Sequence, residues 1–499
     1  MRPFARVRSR LAQPAAEPPR PAAADDPPAR PARNSGLSPR PDQERDAPPE
    51  SEPAPPGDPP PELAPASPPE SAFEDDPDAS PTEIPWRRNL TAIWVVQILA
   101  IVGFSLRAPF LPFYLTDLGV DTVDGQTLWS GLINAGGAGV MALTAPIWGV
   151  VADRHGRRMM LLRASFAGAC TVALMSLATS PWQLLGLRLV EGALTGTVTA
   201  ATVLVATTTP RARLGFALGM LQTAIFAGAS IGPLVGGLLA DRIGPRPTFL
   251  VAGSLLAAAG VMTVLLVREK FVPTPRTTID ESAALSRWAR IRRDAAPLFG
   301  PVVVTLIVAL FAIRFAAMAV QPIVPLFVAA LAPGAADPAS LAGVVLGILG
   351  VTSALSAVVL GRFGDRRGHR AILVACVAAA GLLYLPMALA GGPWQLAALQ
   401  GAFGFAAGGM IPAANALVAD HTPAARRATM YGITSSAAAL GAFIGPLAGA
   451  ALAVAVGFRA TFLAVGVLLL ALAVVVARGV PRGEPRNRGV EESKRRTTA

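Results

Sequence analysis

Four charged side chains lie inside long apolar runs of this sequence: Arg107, Arg188, Glu191 and Arg314. On insertion scales a charge at the centre of a membrane helix costs about 2.5–3.5 kcal/mol, so each needs a partner or a polar cavity. Arg188, Glu191, Thr195 and Thr199 are spaced 3, 4 and 4 apart, which sets them along one face of a helix. At a rise of about 1.5 Å per residue, Glu191 lies about 14 Å inward of Trp182, and Arg107 about 16 Å inward of the end of its own run. Equal depth predicts an Arg107–Glu191–Arg188 cluster facing a cavity. Glu191 is the one carboxylate placed deep in an apolar run, and the chemistry open to it is proton carriage. Burial favours its neutral form, flanking guanidiniums favour the carboxylate, and opening the cavity shifts that balance. The competing role is an ion triad that never titrates. Arg314 has no acid beside it and reads as a contact for an anionic substrate or a helix dipole. Tyr114, Asn134, Thr195, Gln321, Gln400 and Asn415 are cavity candidates by polarity alone, with helix–helix hydrogen bonding as their alternative role.

The elements that must position these groups are membrane spans. The chain is 52% hydrophobic and 15% charged, with a mean hydropathy of +0.49, too apolar for an ordinary soluble protein. Residues 1–85 are the exception: rich in proline, they hold nine Arg and sixteen acidic residues, a net charge of −7. Such a segment has too little apolar surface to offset its chain entropy, which predicts a disordered tail. The remainder carries +18. Its basic residues fall in short clusters between apolar runs, which points to a membrane and away from nucleic acid. Twelve runs from Leu90 onward reach bilayer length: 90–117, 128–151, 159–179, 183–207, 215–240, 248–267, 299–330, 341–361, 371–390, 394–419, 430–454 and 459–478. Backbone groups in lipid must be satisfied internally, so each run is expected to be helical.

Loop charge gives the orientation. Arg154, Arg157 and Arg158; Arg211 and Arg213; Arg362, Arg366, Arg367 and Arg370; and Arg426 and Arg427 occupy alternate loops. The intervening loops hold only Arg242, Arg246 and Arg459, so the basic loops and both termini are expected in the cytoplasm. The chain also repeats itself. GVVADRHGRR at 149–158 recurs as GRFGDRRGHR at 361–370, and PWQL at 181–184 recurs at 393–396, both 212 residues on. Pro109 and Pro112 match Pro322 and Pro325, and IGPL at 231–234 matches 444–447, at a spacing of 213. Two related halves with a site between them is the plan of a transporter built from structural repeats. The expected organisation is a tail (1–85), a six-helix bundle (86–268), a cytoplasmic linker (269–297), a second six-helix bundle (298–480) and a C-terminal tail (481–499).

These motifs resemble the major facilitator superfamily. The loop Gly149-x₃-Asp153-Arg154-x-Gly156-Arg157-Arg158 resembles its signature between spans two and three. Gly219, Gly228, Gly232, Pro233, Gly236 and Gly237 resemble the fifth-span glycine motif of its drug:proton antiporters. The stretch WRRNLTAIW…PFLPFYLTDLGV…WSGL…DRHGRRMMLLR is similar to bacterial twelve-span multidrug exporters. The resemblance implies that Asp153 sits against the N-terminus of span eleven as a latch on the outward-facing state. Gly361, Asp365, Arg366 and Gly368 repeat the loop in the second half. Arg188 matches the basic residue of a fourth-span motif associated with proton transfer, whereas Glu191 takes a position that resembles Gln in many members. The fifth-span glycines allow close packing and a Gly-Pro kink, and in the resembled antiporters they seal a leak route.

Other chemistries find no support in the sequence. The three histidines sit at predicted cytoplasmic edges without metal-ligand spacing, and no Gly-Lys-Ser/Thr loop exists to cradle phosphates. Cys170 and Cys376 read as single packing thiols. The expectation is therefore a non-enzymatic plasma-membrane transporter, needing no cofactor or metal, functional as a monomer. Its partners are protons, the bilayer and an amphipathic or lipophilic drug expelled by alternating access. Transport of a small metabolite, and a transporter-derived sensor that recruits a partner through its tail, are the alternatives.

Overall fold

The computed structural model describes residues 85–271, 300–423 and 426–481, except for the side chains of Arg211, Asp365 and Ala428. The expectations for the two tails and the linker fall almost wholly outside the described residues. Among the described residues every regular element is helical, and eleven helices are long and apolar enough to cross a membrane. In chain order the helices are α1 Trp86–Ser105, α2 Leu111–Asp117, α3 Val123–His155, α4 Arg157–Met175, α5 Pro181–Leu194, α6 Thr197–Thr208 and α7 Leu214–Ile243. They continue as α8 Pro245–Leu266, α9 Pro301–Val320, α10 Val324–Leu331, α11 Pro338–Arg367, α12 His369–Ala388, α13 Pro393–Asp420 and α14 Arg427–Gly479.

Where the helices depart from the expected runs, backbone chemistry gives the reason. The run 90–117 is divided between α1 and α2, and 299–330 between α9 and α10. Proline lacks an amide donor and its ring opposes the preceding turn; Pro109 and Pro322 fall in these two breaks, and Pro112 and Pro325 in the first turn of the helices that follow. The run 183–207 is interrupted at Gly196, whose φ of +138° no helix tolerates. In contrast, 430–454 and 459–478 run together in α14, a 53-residue element broken only at Gly457 with φ +86°. Gly156 and Gly368 end α3 and α11 at φ of +88° and +90°, which lets each chain reverse straight into the next helix.

Each half has its own core, one built from residues between Leu90 and Val267 and joined by Ala339 of α11, the other from residues between Val303 and Val480. In lipid the hydrophobic effect does not draw helices together, so close backbone approach at small residues must do it. A methyl group at Gly236 would overlap the Leu106 carbonyl of α1, and one at Gly449 the Ala319 carbonyl of α9. The halves meet through α3 on α14 and α7 on α11: Gly131 lies against Pro446 and Ala450, Gly139 against Phe443, and Gly343 against Pro233. These contacts run from the end that bears Trp129 and Trp182 to the middle of α3. At the opposite end Gly149, Gly219, Gly361 and Gly432 face open space. The two halves are shut at one end and apart at the other.

Candidate functional site

The break between α1 and α2 carries Arg107. Its Nη1 donates to Oε1 and Oε2 of Glu191 at 3.1 and 3.2 Å, and Arg188 Nη1 lies 2.7 Å from the same Oε1. Arg107 is 9% exposed and Glu191 1%. The structure thus brings together the three residues singled out by depth and spacing. Their mounting was not foreseen. Gly236 presses on the carbonyl of Leu106, the residue before Arg107, so the glycine motif of α7 seats the break that holds the guanidinium.

Glu191 lies in the last turn of α5, and the span does not continue as one face through Thr199. Thr195 turns extended, with its amide and hydroxyl both donating to the Glu191 carbonyl at 2.9 and 2.8 Å, and Thr199 is exposed beyond the break. Irregular backbone at membrane depth is tolerated only inside protein or beside a cavity, and its carbonyls need other donors. The Trp148 indole supplies one, donating to Ala193 O at 2.6 Å. The Arg163 guanidinium covers that indole at 3.5 Å from the ring centroid. The deep carboxylate, the helix break and the start of the 149–158 loop are therefore physically continuous.

Next to the cluster is a cavity of about 460 Å³ lined by both halves. Arg107, Arg188 and Asn134 border it from the first half, and Gln321 and Gln400 from the second, while Phe104, Leu349 and Phe403 give it apolar surface. No carboxylate lines it among the described residues; Glu191 stands behind the two guanidiniums, leaving the cluster at net +1. Four sequence candidates lie elsewhere. Tyr114 is fully buried, its hydroxyl donating to Met175 O and Ala178 O at 2.9 and 3.2 Å. Thr195 serves the break, Asn415 lies near the open end, where its backbone carbonyl accepts from the Tyr431 hydroxyl, and Arg314 is exposed one turn along α9 from Met318 without lining the cavity.

In the repeated loops the latch implied for the outward-facing state is not made. Asp153, with a side chain 58% exposed, pairs with Arg157 rather than with the N-terminus of α14, because the halves are apart at this end. Arg154 and Arg366 are exposed, and the Asp365 side chain is outside the described residues. The N-terminus of α4 is instead served by Glu269, which accepts from Arg157 N and Arg158 N at 2.8 and 2.7 Å. In the second half Arg370 donates to Val480 O at 2.6 Å and to Ala477 O.

One structural residue escaped the sequence reading although a signal was present. Asp241, at the closed end of α7, accepts from the Ala339 and Ser340 amides at the start of α11, at 3.3 and 2.6 Å. It belongs to a third Asp-Arg-x-Gly, Asp241–Gly244, which ends its helix at φ +88° as the other two do. Glu269 and Trp148 carried no such mark, since their roles depend on partners far along the chain.

Comparison with known proteins agrees with this architecture. A profile of the Major Facilitator Superfamily matches residues 93–335 and 306–499. The chain is 37% identical over 382 residues to the multidrug resistance protein MdtG of Salmonella typhimurium strain LT2, covering 76% of this chain and 92% of that protein. Among solved structures, the human organic anion transporter MFSD10 is similar at a TM-score of 0.58 and 21% identity, over 79% of this chain and all of the other. The nucleoside transporter NupG is similar at 0.64 and 14%, over 78% of this chain and all of the other; at these identities the likeness is one of fold. By profile and by identity over most of its length, this chain belongs to the major facilitator superfamily.

Proposed function

We propose that this protein is a proton-coupled exporter of amphipathic compounds that works by alternating access between its two halves. The observation that carries the reading is the buried Glu191 carboxylate, shared by Arg107 and Arg188, beside a cavity walled by both halves. The relative's name supports drugs as the cargo class. In this reading Gly457 divides α14 into two spans, giving twelve in bundles 86–268 and 298–480. The loops 149–158 and 361–370 are cytoplasmic, so the open end faces the cytoplasm and the closed end faces outward. One chain supplies the whole cavity, which is what a monomer requires.

Charge decides which amphiphiles suit exchange. With Glu191 ionised, a permanent cation in the cavity meets a net positive cluster. Protonating Glu191 raises the cluster from +1 to +2, so an anion would be held more tightly just when exchange requires its release. Neutral amphiphiles meet neither obstacle and are the favoured cargo. The same charge count favours a second reading, uptake of a small anion together with a proton.

The test is proton movement in everted vesicles energised by respiration and followed with a quenched acridine dye. A panel of neutral, cationic and anionic amphiphiles is added to vesicles with wild type, Glu191→Gln or no transporter. Compound-dependent dye recovery is expected with wild type and at least about tenfold slower with the variant, as for loss of a general acid–base group. Recovery that survives the substitution removes Glu191 from the proton path. No recovery with any compound refutes export.

A further inference from the structure

Arg188 reaches Glu191 from a seat that an absent side chain leaves open. Gly137, buried in α3, lies against the arginine: a methyl group there would stand 2.7 Å from Nε, 2.8 Å from Cζ and 3.2 Å from Cγ. Carbon atoms pack at about 3.5–4.0 Å, so the guanidinium cannot keep its place beside a methyl group. The helices are already in backbone contact at this height. Gly192, one turn beyond Arg188 on α5, is pressed against the Gly137 carbonyl, so the arginine lies close along α3 because both helices carry glycine here. Among the described residues Arg188 Nε is buried without a hydrogen-bond partner, and packing on α3 together with the Nη1 contact to Glu191 at 2.7 Å holds the group. The neighbouring Gly136 takes no part, since a methyl group there would meet the ends of the Leu189 and Leu185 side chains at 2.9 and 3.3 Å.

We propose that Gly137 is a positioning residue for Glu191: by lacking a side chain it lets Arg188 lie along α3 and hold its guanidinium on the carboxylate. The inference rests on the export reading for what Glu191 does, and on packing alone for the seat. Gly137 differs in kind from Gly236, which abuts rigid backbone at Leu106. It meets the far end of a long side chain, and Arg188 also borders the cavity, where there is room to swing aside. A methyl group at 137 therefore disturbs the site more than the fold. To restore ordinary contact Nε must retreat from 2.7 Å to about 3.5 Å or more. A shift approaching 1 Å in a positioned group can lower a rate by about a hundredfold. Arg107 stays on Glu191 at 3.1 Å, so the carboxylate keeps one partner and the loss is expected nearer to about tenfold.

The test joins a crystal structure of the Gly137→Ala chain to the vesicle assay. The variant is expected to keep its helix positions, to move Arg188 Nη1 beyond hydrogen-bonding distance of Glu191, and to slow compound-driven proton movement by about tenfold. Gly136→Ala should stay within about twofold of wild type. Gly137→Ala added to Arg188→Ala should change the rate by less than about twofold and leave the melting temperature within error, because no guanidinium is left to displace. An equal loss with and without Arg188 assigns Gly137 to helix packing and overturns the inference. It is also overturned if Arg188 stays on Glu191 in the variant structure, or if Gly137→Ala moves protons at the wild-type rate. Should Gly137→Ala fail to fold, the double variant decides. Folding restored by removing Arg188 locates the clash at the guanidinium, and a double variant that also fails overturns the seat. Absence of compound-driven proton movement in wild type would sink the export reading alone, because the variant structure and the melting temperatures still read the seat.

Discussion

Removing the Asp241 carboxylate should unlatch the closed end. Asp241 joins the two halves by accepting from Ala339 N and Ser340 N, the first free amides of α11, at 3.3 and 2.6 Å. A half-buried carboxylate at a helix N-terminus contributes up to about 2 kcal/mol, and the longer of the two bonds lowers the figure toward about 1. Replacing Asp241 by Ala therefore shifts the ratio of shut to open states at this end by about five- to thirtyfold. Asp241→Asn keeps an oxygen acceptor but loses the charge, and should move it by about half as much in free energy. The assay is pulsed electron spin distance measurement on a chain whose Cys170 and Cys376 are replaced and whose exposed Val123 and Val456, one from each half, carry labels. These positions lie on α3 and α14, away from Asp241, so they report the closure and not the contact itself. A longer distance should gain population in the order wild type, Asn, Ala. Identical distributions in all three would show that the Gly131, Gly139 and Gly343 contacts hold the end shut without the carboxylate, and the latch argument would fail.

Three further outcomes follow from the packing. Gly236→Ala should destabilise the fold by about 1–3 kcal/mol, because its methyl meets backbone that cannot yield, and should abolish compound-driven proton movement by displacing Arg107. Gly219→Ala, within the same motif but facing open space, should leave the melting temperature within error. Trp148→Phe leaves the Ala193 carbonyl without its donor while keeping a ring for Arg163, and should cost about 1–3 kcal/mol in thermal unfolding. An unchanged melting temperature there would mean that the freed carbonyl finds another donor.

The sequence made the helices legible because lipid leaves the backbone no alternative, and it made the triad legible because charge is scarce inside spans. Arg107, Arg188 and Glu191 stood out among hundreds of apolar positions. Helix breaks were harder to read. Prolines mark the breaks in 90–117 and 299–330, although each run was expected as one helix, whereas the Gly196 break lay hidden in a run whose hydropathy continues without interruption. Thr199 was placed on one continuous face with Glu191 for that reason, whereas it is exposed beyond the break. Tyr114 took the alternative role of helix–helix hydrogen bonding: polarity marks a side chain that needs a partner, and backbone carbonyls of the neighbouring helix end satisfied it. Cross-half contacts such as Asp241 to α11 depend on residues about 98 positions apart, and no local pattern carries that pairing.

The three Asp-Arg-x-Gly helix ends bear on why such a molecule has two states at all. The sequence writes one carboxylate device at 153, 241 and 365, each just before a glycine that ends the helix with positive φ. At the closed end the device is engaged across the halves, through Asp241. At the open end Asp153 has turned back on Arg157 within its own half. Both carboxylates are thus satisfied, one by an N-terminus of the other half and one locally. A carboxylate that keeps a partner on either side of the transition contributes only the difference between the two, a fraction of the 1–2 kcal/mol each contact is worth. A transporter needs that near-cancellation, because a ligand shifts an equilibrium only by its differential affinity for the two states. In the latch that the family resemblance implies, an Asp153 left bare in this state would bias the molecule by the full contact energy and cargo would have to overcome it. With Arg157 as the alternative partner, charge on Glu191 and cargo in the cavity can decide the balance.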